Sequence, residues 1–149
     1  MTDVMERNIK HQCAEYACKC IENIVNNHSS IQKDYRSEVM STGTRIYGSG
    51  LMQTLTFYCS KMDKHEHFKK LLLHLLYWIL DGESFNGKTI NAETAKWDEN
   101  KENVLKIFTA LLKKQDDGMI YYTQRAMNIT EWLKRFADVR LKKDEKNSL

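Results

Sequence analysis

Apolar side chains recur every three or four residues through most of the chain, which is the spacing of one face of an α-helix. The first such run extends from Met5 to Asn26 and predicts one long amphipathic helix. Its apolar positions are Ile9, Cys13, Tyr16, Ala17, Cys20, Ile24 and Val25.

Five further helices are predicted from the same spacing and from residues that start or stop helices. The second begins near Ile31, with Ser29 or Ser30 as its cap, and ends at Gly48-Ser49-Gly50 or earlier, because Ser41 to Thr44 weakens a helix. The others run from Leu51 to about Met62, from about Lys64 to Leu80, from about Lys101 to Lys114 with Leu112 on the inner face, and from about Met119 to Leu141.

The remaining segments read as connections. Asp116-Asp117-Gly118 breaks the chain between the last two helices, and residues 142–149 form a charged tail that we expect to be frayed. The polar loop of residues 81–95 contains Asn86-Gly87, a tight-turn pair, and has room for a small hairpin that no alternating apolar pattern indicates. A length of 149 residues fits one domain, and the absence of proline favours helices over strands. We therefore expect an all-α bundle of about six helices in a single domain, residues 1–149.

Charge is distributed unevenly along the chain. The formal net charge is only +3, but residues 81–103 carry a local net charge of −3 and residues 133–149 one of +3. An acidic region and a basic end permit contacts between protein chains as well as anion binding.

Nothing in the sequence indicates export or a membrane. The first residues lack the apolar stretch of a signal peptide, and the longest apolar run, Leu71 to Leu80, contains His74 and is too short to cross a bilayer. A cytoplasmic protein is expected, with no membrane partner. Its four cysteines are then reduced thiols.

No motif indicates catalysis, a metal or a cofactor. Gly48-Ser49-Gly50 lacks the preceding strand and the following Gly-Lys-Ser/Thr of a phosphate loop, so a helix break with Ser49 as cap is the better interpretation. His65 and His67 are two residues apart and point to different helix faces, whereas a metal pair on a helix needs a spacing of three or four. Because no nucleophile or general base is clustered, we expect no enzyme and no small-molecule substrate.

Basic residues at the exposed edges of the predicted helices are candidates for contacts with RNA phosphates. A solvated helix face is the simpler reading of Lys69 and Lys70. Contacts of this kind give weak, sequence-independent binding, roughly 10⁻⁴ to 10⁻⁶ M for one subunit, so useful affinity needs several copies on one strand. Tyr121, Tyr122 and Trp132 could stack on bases, although core packing is favoured. The candidate phosphate contacts are Arg36, Arg45, Lys61, Lys64, Lys134, Arg135 and Arg140.

The third helix is apolar on more than one side. Leu51, Leu55 and Tyr58 share one stripe, whereas Met52 and Phe57 lie away from it. A short helix of this kind is either central in a fold or shared with a partner. We predict a subunit interface at Leu51, Met52 and Phe57.

Two motifs, in this order, carry a resemblance to a known family: the segment from Gly50 to Lys61 and the segment from Trp132 to Ala137. Together with Tyr16-Ala17, the segment from Lys33 to Ser37 and the segment from Tyr77 to Leu80, they are similar to the small-subunit family of the type III-B (Cmr) CRISPR effector complex. One departure is the missing Leu-Pro pair before the glycine motif, where this chain has Thr42 to Ile46.

The resemblance implies a non-catalytic structural subunit for antiviral defence. Several copies would stack beside the other subunits of the effector complex and contact the backbones of crRNA and target RNA without reading their sequence. Cleavage would belong to other subunits. The alternative is a helical protein–protein adaptor with no nucleic-acid role. A helical enzyme is a third possibility, but the sequence offers no residues that could be assigned to its active site.

Overall fold

The computed structural model describes residues 2–85, 87–94, 96–114 and 118–143, whose regular structure is almost entirely α-helical. The predicted all-α class and the predicted number of helices are confirmed. A short 3₁₀ turn, Ser29–Ile31, joins the first two helices. The α-helices are α1 (Thr2–Asn27), α2 (Gln32–Ser49), α3 (Leu51–Lys61), α4 (Glu66–Ile79), α5 (Lys101–Lys113) and α6 (Met119–Arg140).

A single residue, Gly50, separates α2 from α3. Its φ of +86° lies in the left-handed region that favours glycine, so the chain turns here without an intervening loop. The capping predictions were wrong. Ser49 is the last residue of α2, and the caps of α2 and α3 are Ile31 and Gly50, neither of which makes a side-chain capping bond. Helix α2 also runs unbroken through Ser41 to Thr44, because its apolar face is held by tertiary packing.

Helix α4 lies at the centre of the fold and contacts every other helix. It is buried on nearly all sides, unlike an amphipathic surface helix, because Leu, Ile, Phe, Tyr and Trp together occupy most of its positions. Each such side chain contributes about 1.5–3 kcal/mol on burial. The fully buried residues of α4 include Leu71, Leu72, Leu73, Leu75, Leu76 and Ile79. Leu112 of α5, expected to point inward, is instead 42% exposed.

Polar groups are enclosed beside α4 and are tied to one another. Tyr16 donates a hydrogen bond of 2.6 Å to the His74 carbonyl oxygen, and its own oxygen accepts one of 3.2 Å from Trp97 Nε1. The Tyr35 hydroxyl lies 2.7 Å from His74 Nδ1. Burial lowers the pKa of His74 to about 3, so the ring is neutral at physiological pH. These bonds anchor the segment around Trp97 to α1 and α4.

Lys70 is also inside this region, only 1% exposed, and it forms ion pairs with Glu66 and Glu99. Burial lowers its pKa, while Glu66 opposes that shift. The solvated-face reading was therefore wrong for Lys70. The side chain lies one turn before His74 on the inward face of α4, and the loop carrying Glu99 covers it.

The loop after α4 contains a minimal hairpin. Ser84–Phe85 pairs antiparallel with Lys88–Thr89, and Gly87 has a φ of +76°. Asn86 of the predicted turn, Asp116-Asp117 of the predicted break and residues 144–149 of the predicted tail lie outside the described residues. Within the described ranges, no helix combines the length and the apolar character needed to span a bilayer.

Candidate nucleic-acid interface

Two basic side chains converge on one aromatic ring where α2 and α3 meet. The Arg45 guanidinium carbon lies 4.7 Å from the centroid of the Phe57 ring, and Lys61 Nζ lies 5.9 Å from it. Such cation–π contacts at exposed sites are worth about 0.5–1 kcal/mol each. The ring therefore orients both cations without neutralising their charge.

Arg45 has a second contact that reduces its availability. Its Nε donates a hydrogen bond of 2.6 Å to a carboxylate oxygen of Glu38, two helical turns earlier on α2. The Glu38 side chain is 11% exposed, so it needs this partner, whereas the Arg45 side chain is 41% exposed. Beneath the pair, Thr42 and Tyr58 share a hydrogen bond of 2.8 Å, and burial raises the pKa of Tyr58. Arg45 is partly structural and partly exposed.

Lys61 and Lys64 have no such constraint. Both are exposed at the end of α3 and in the turn before α4, and within the described ranges neither contacts a carboxylate. The nearby His67 ring packs at a tilt against the Phe68 ring, with centroids 4.2 Å apart. Burial lowers the pKa of His67, so it adds little positive charge at neutral pH. The positive potential here comes from the lysines.

On α6, Lys134 and Arg135 are exposed and likewise lack a carboxylate partner among the described residues. The Arg135 guanidinium carbon lies 5.6 Å from the Trp132 ring centroid, and Trp132 stacks on Phe136 at 6.0 Å. The Trp132 motif therefore builds an aromatic support for a cation, as Phe57 does on α3. We refer to the cations around α3 (Arg45, Lys61 and Lys64) and those on α6 (Lys134 and Arg135) as the two basic surfaces.

The other two predicted RNA contacts, Arg36 and Arg140, hold helices together. Arg36 Nη2 pairs with Asp138 at 2.5 Å, and its side chain is only 15% exposed. Arg140 makes two parallel bonds to Glu22, of 2.7 and 2.9 Å, which is a bidentate carboxylate contact. The bond from Arg140 lowers the pKa of Glu22. Their charges are compensated within the fold, which ties α1 and α2 to α6.

The predicted interface residues differ in how accessible they are to a partner. Leu51 is 3% exposed and belongs to the core, so its side chain is not available to a partner. Met52 and Phe57 are half-buried and pack on the core from outside. The interface prediction is therefore confined to Met52 and Phe57. Among the aromatic candidates, Tyr122 is buried and donates to Glu83 at 2.9 Å, while Tyr121 is 54% exposed.

Sequence reasoning overlooked Arg125. Its guanidinium carbon lies 4.5 Å from the Trp78 ring centroid and 5.6 Å from that of Tyr121, and it donates two hydrogen bonds to the Trp78 carbonyl oxygen. The pairing joins α6 to the end of α4, 47 residues apart. No local pattern signals such a contact.

The described residues hold no group of three or more His, Cys, Asp or Glu side chains arranged to bind a metal ion. Burial raises the pKa of Cys13 to about 12 and that of Cys20 well above its usual value, so both are thiols rather than reactive thiolates.

The chain was compared with models of protein families, and it matches a family of CRISPR-associated proteins. The family model described as "CRISPR-associated protein (Cas_Cmr5)" matches residues 9–139. The match includes α2, α3, α4 and α5 in full, most of α1 and all of α6 except its last residue, together with both basic surfaces.

Proposed function

The chain belongs to the Cas_Cmr5 family of CRISPR-associated proteins, and on that premise we propose that it is a non-catalytic structural subunit of the Cmr ribonucleoprotein. Several copies stack along the complex beside the other subunits. Their basic surfaces contact the backbones of crRNA and target RNA without reading sequence, in antiviral defence in the cytoplasm.

One observation carries the RNA contact: four of the cations predicted to contact RNA are exposed and have no carboxylate partner among the described residues. They are Lys61 and Lys64 beside α3, and Lys134 and Arg135 on α6. Surface cations in proteins of balanced charge are commonly paired within the fold, as Arg36 and Arg140 are here. Cations supported on rings and left unpaired suit phosphate oxygens supplied by another molecule.

Exposed apolar side chains support assembly. Tyr47 at the end of α2 is 91% exposed, Ile120 at the start of α6 is 73% exposed, and Val139 near its end is 80% exposed. Met52 and Phe57 lie on α3, which follows Tyr47 after three residues. Apolar groups at the surface of a helical subunit suit contacts with neighbouring subunits.

The alternative function is a protein–protein adaptor whose cations only keep it soluble. The two differ in salt dependence, because each phosphate contact on a single strand contributes about 0.7 to the slope of log K against log salt. We would reconstitute the complex with the Lys61→Ala/Lys64→Ala/Lys134→Ala variant and measure target RNA binding across a salt series. The slope should fall by about 2 for each copy that contacts the strand.

The matched control is Lys96→Ala/Lys106→Ala/Lys113→Ala, which removes three exposed lysines around α5 and should leave the slope unchanged. If both variants assemble and bind RNA with the parental slope, the RNA role is refuted and the adaptor remains. If neither enters the complex, the lysines serve assembly instead.

A further inference from the structure

A groove of about 280 Å³ lies where the first half of α1, the end of α4 and the middle of α6 meet. Trp132 and Arg135, from the motif at the end of the chain, form part of its wall, and Lys10 of α1 lies across from them. The groove is smaller than the roughly 300–1,000 Å³ of drug-sized ligand pockets. It suits a single planar group rather than a folded segment of protein.

The groove is positively charged. Lys10, Arg125 and Arg135 line it, against Glu131 as the one acidic side chain. Within the described ranges, none of the three cations contacts a carboxylate; Arg125 is held by the Trp78 carbonyl oxygen and Arg135 by the Trp132 ring. Neither contact neutralises the charge. An anionic ligand is therefore favoured.

Its wall also offers aromatic surface. Trp132 is half-buried and already stacks on Phe136, which fixes the plane of its ring. Trp78 is 4% exposed and packed against Tyr16 and Arg125, so it contributes an edge rather than a free face. Among the described residues, its indole N–H finds no acceptor.

We propose that this groove binds one unpaired nucleotide of an RNA strand, with its base against Trp132 and its phosphate on Arg135 or Lys10. The proposal rests on the RNA contact proposed above and adds a stacked base to it. A phosphate alone would not need the aromatic wall, and an apolar peptide side chain would leave three cations unpaired. A nucleotide satisfies both features.

The bound base is held by stacking more than by its identity. Every base has a π face, so stacking on Trp132 tolerates all of them. The Asn128 amide, also in the wall, can donate and accept hydrogen bonds at a base edge. We therefore expect a large difference in affinity between RNA with and without bases, and only a small difference in affinity among the four bases.

The test compares two single-stranded RNA probes with the full chain: fluorescein-labelled U12 and the same strand with abasic ribose at every position. Trp132→Ala should weaken U12 at least about fivefold, the lower end for one stacked base, and leave the abasic strand unchanged. Trp132→Phe, which keeps a ring, should retain most of the affinity. The Lys61→Ala/Lys64→Ala/Lys134→Ala variant serves as control and should weaken both probes alike.

A second measurement needs no variant and so does not depend on its folding. In the assembled complex, 4-thiouridine in the RNA should crosslink to peptides of α6 around Asn128 to Arg135 or of α1 around Lys10. Crosslinks confined to the lysines of α3 and its turn would overturn the groove while keeping the RNA role. Equal binding of U12 and abasic RNA would do the same.

Two further results would also count against the groove. If Trp132→Ala leaves RNA binding intact but releases a neighbouring subunit, the groove is a protein contact and the proposal fails. If no RNA binds or crosslinks to the wild-type chain at all, the proposed function fails and the groove fails with it.

Discussion

The inward face of α4 and the exposed edges of α3 and α6 both carry basic residues, yet the two regions use them in opposite ways. Lys70 on α4 is enclosed and paired with Glu66 and Glu99, whereas Lys61 and Arg135 are exposed, rest beside aromatic rings and contact no carboxylate in the described part of the chain. Charge in the sequence is thus not a guide to binding by itself. The position of the nearest carboxylate decides whether a cation stabilises the fold or is available to a ligand.

The largest effect should come from Lys70→Ala. The variant removes a cation that is 1% exposed and leaves Glu99 with the His28 ring, 3.4 Å away, instead of an ammonium partner. We expect a loss of about 3 kcal/mol in the free energy of unfolding, at the low end for a broken buried pair because the carboxylates are partly exposed. Urea unfolding followed by circular dichroism measures it.

Lys69→Ala is the matched control, since Lys69 is the neighbouring residue and lies 3.4 Å from the same Glu66. It should cost much less. Lys70→Met, which keeps an unbranched stem, should fall between the two. If Lys69→Ala and Lys70→Ala lose equal amounts of stability, burial does not distinguish these two lysines. The contrast between enclosed and exposed cations would then be wrong.

The second effect is a pH dependence that originates in the interior. His74 titrates near 3 in the folded chain, against an ordinary pKa of 6.5, because burial disfavours its charged form. The unfolded chain therefore binds the proton first as the pH falls. Stability from this residue is complete above pH 6.5 and is lost toward pH 3, by about 2 kcal/mol at pH 5.

Urea unfolding at pH 7 and pH 5 would show this loss, with contributions from His28 and His67, whose pKa values burial also lowers. His74→Gln should reduce the difference between the two pH values by about 2 kcal/mol, while exposed His11→Gln should not change it. If His74→Gln shows the same difference in stability between pH 7 and pH 5 as the parent chain, burial does not lower the pKa of His74 as described.

The smallest expected effect concerns Arg45, which combines a structural ion pair with exposure to solvent. Arg45 pairs with Glu38 and also faces solvent, so Arg45→Ala should cost about 1 kcal/mol by leaving an enclosed carboxylate without its donor, a value limited by the exposure of the guanidinium. Lys61→Ala, which loses only its cation–π contact with the same Phe57 ring, should cost less, about 0.5 kcal/mol. Both should lower the salt slope of RNA binding in the complex.

An Arg45→Ala variant as stable as Lys61→Ala would place Arg45 wholly among the available cations. A loss of stability without any change in salt slope would place it wholly in the fold. Glu38→Gln in the Arg45→Ala background should restore part of the stability, because a neutral amide tolerates enclosure better than a carboxylate.

The helices were predictable because the information that sets them is local. Helix α5 was expected from Lys101 to Lys114 and runs to Lys113, since Val104, Phe108 and Leu111 mark its inner face within a few turns. For α2 the sequence allowed an end at Ser41 to Thr44 or at Gly48-Ser49-Gly50, and the helix runs to Ser49. Local pattern could not decide between the two, because Ser and Thr oppose a helix locally while packing against α6 maintains it: a Cβ at Gly43 would lie 3.8 Å from Thr130. Helix ends that depend on distant partners are not encoded nearby.

The residues of the candidate site likewise divide into those whose position follows from local pattern and those whose position depends on distant contacts. The exposure of Lys61 and Lys134 was predictable from the spacing of the apolar residues on their helices. The pairing of Arg36 with Asp138, 102 residues away, could not, nor could the approach of Arg125 to Trp78. The groove joins α1, α4 and α6 and so has no counterpart in any short motif.

The central position of α4 also sets the order in which the molecule can open. Because α4 contacts every other helix, no local fluctuation can bring its amides to water without separating most of the bundle. Its amide protons should exchange with solvent only through global unfolding, whereas those of the minimal hairpin exchange through small openings. A ligand bound to α3 or α6 can thus loosen or tighten its own helix while the middle of the protein stays closed.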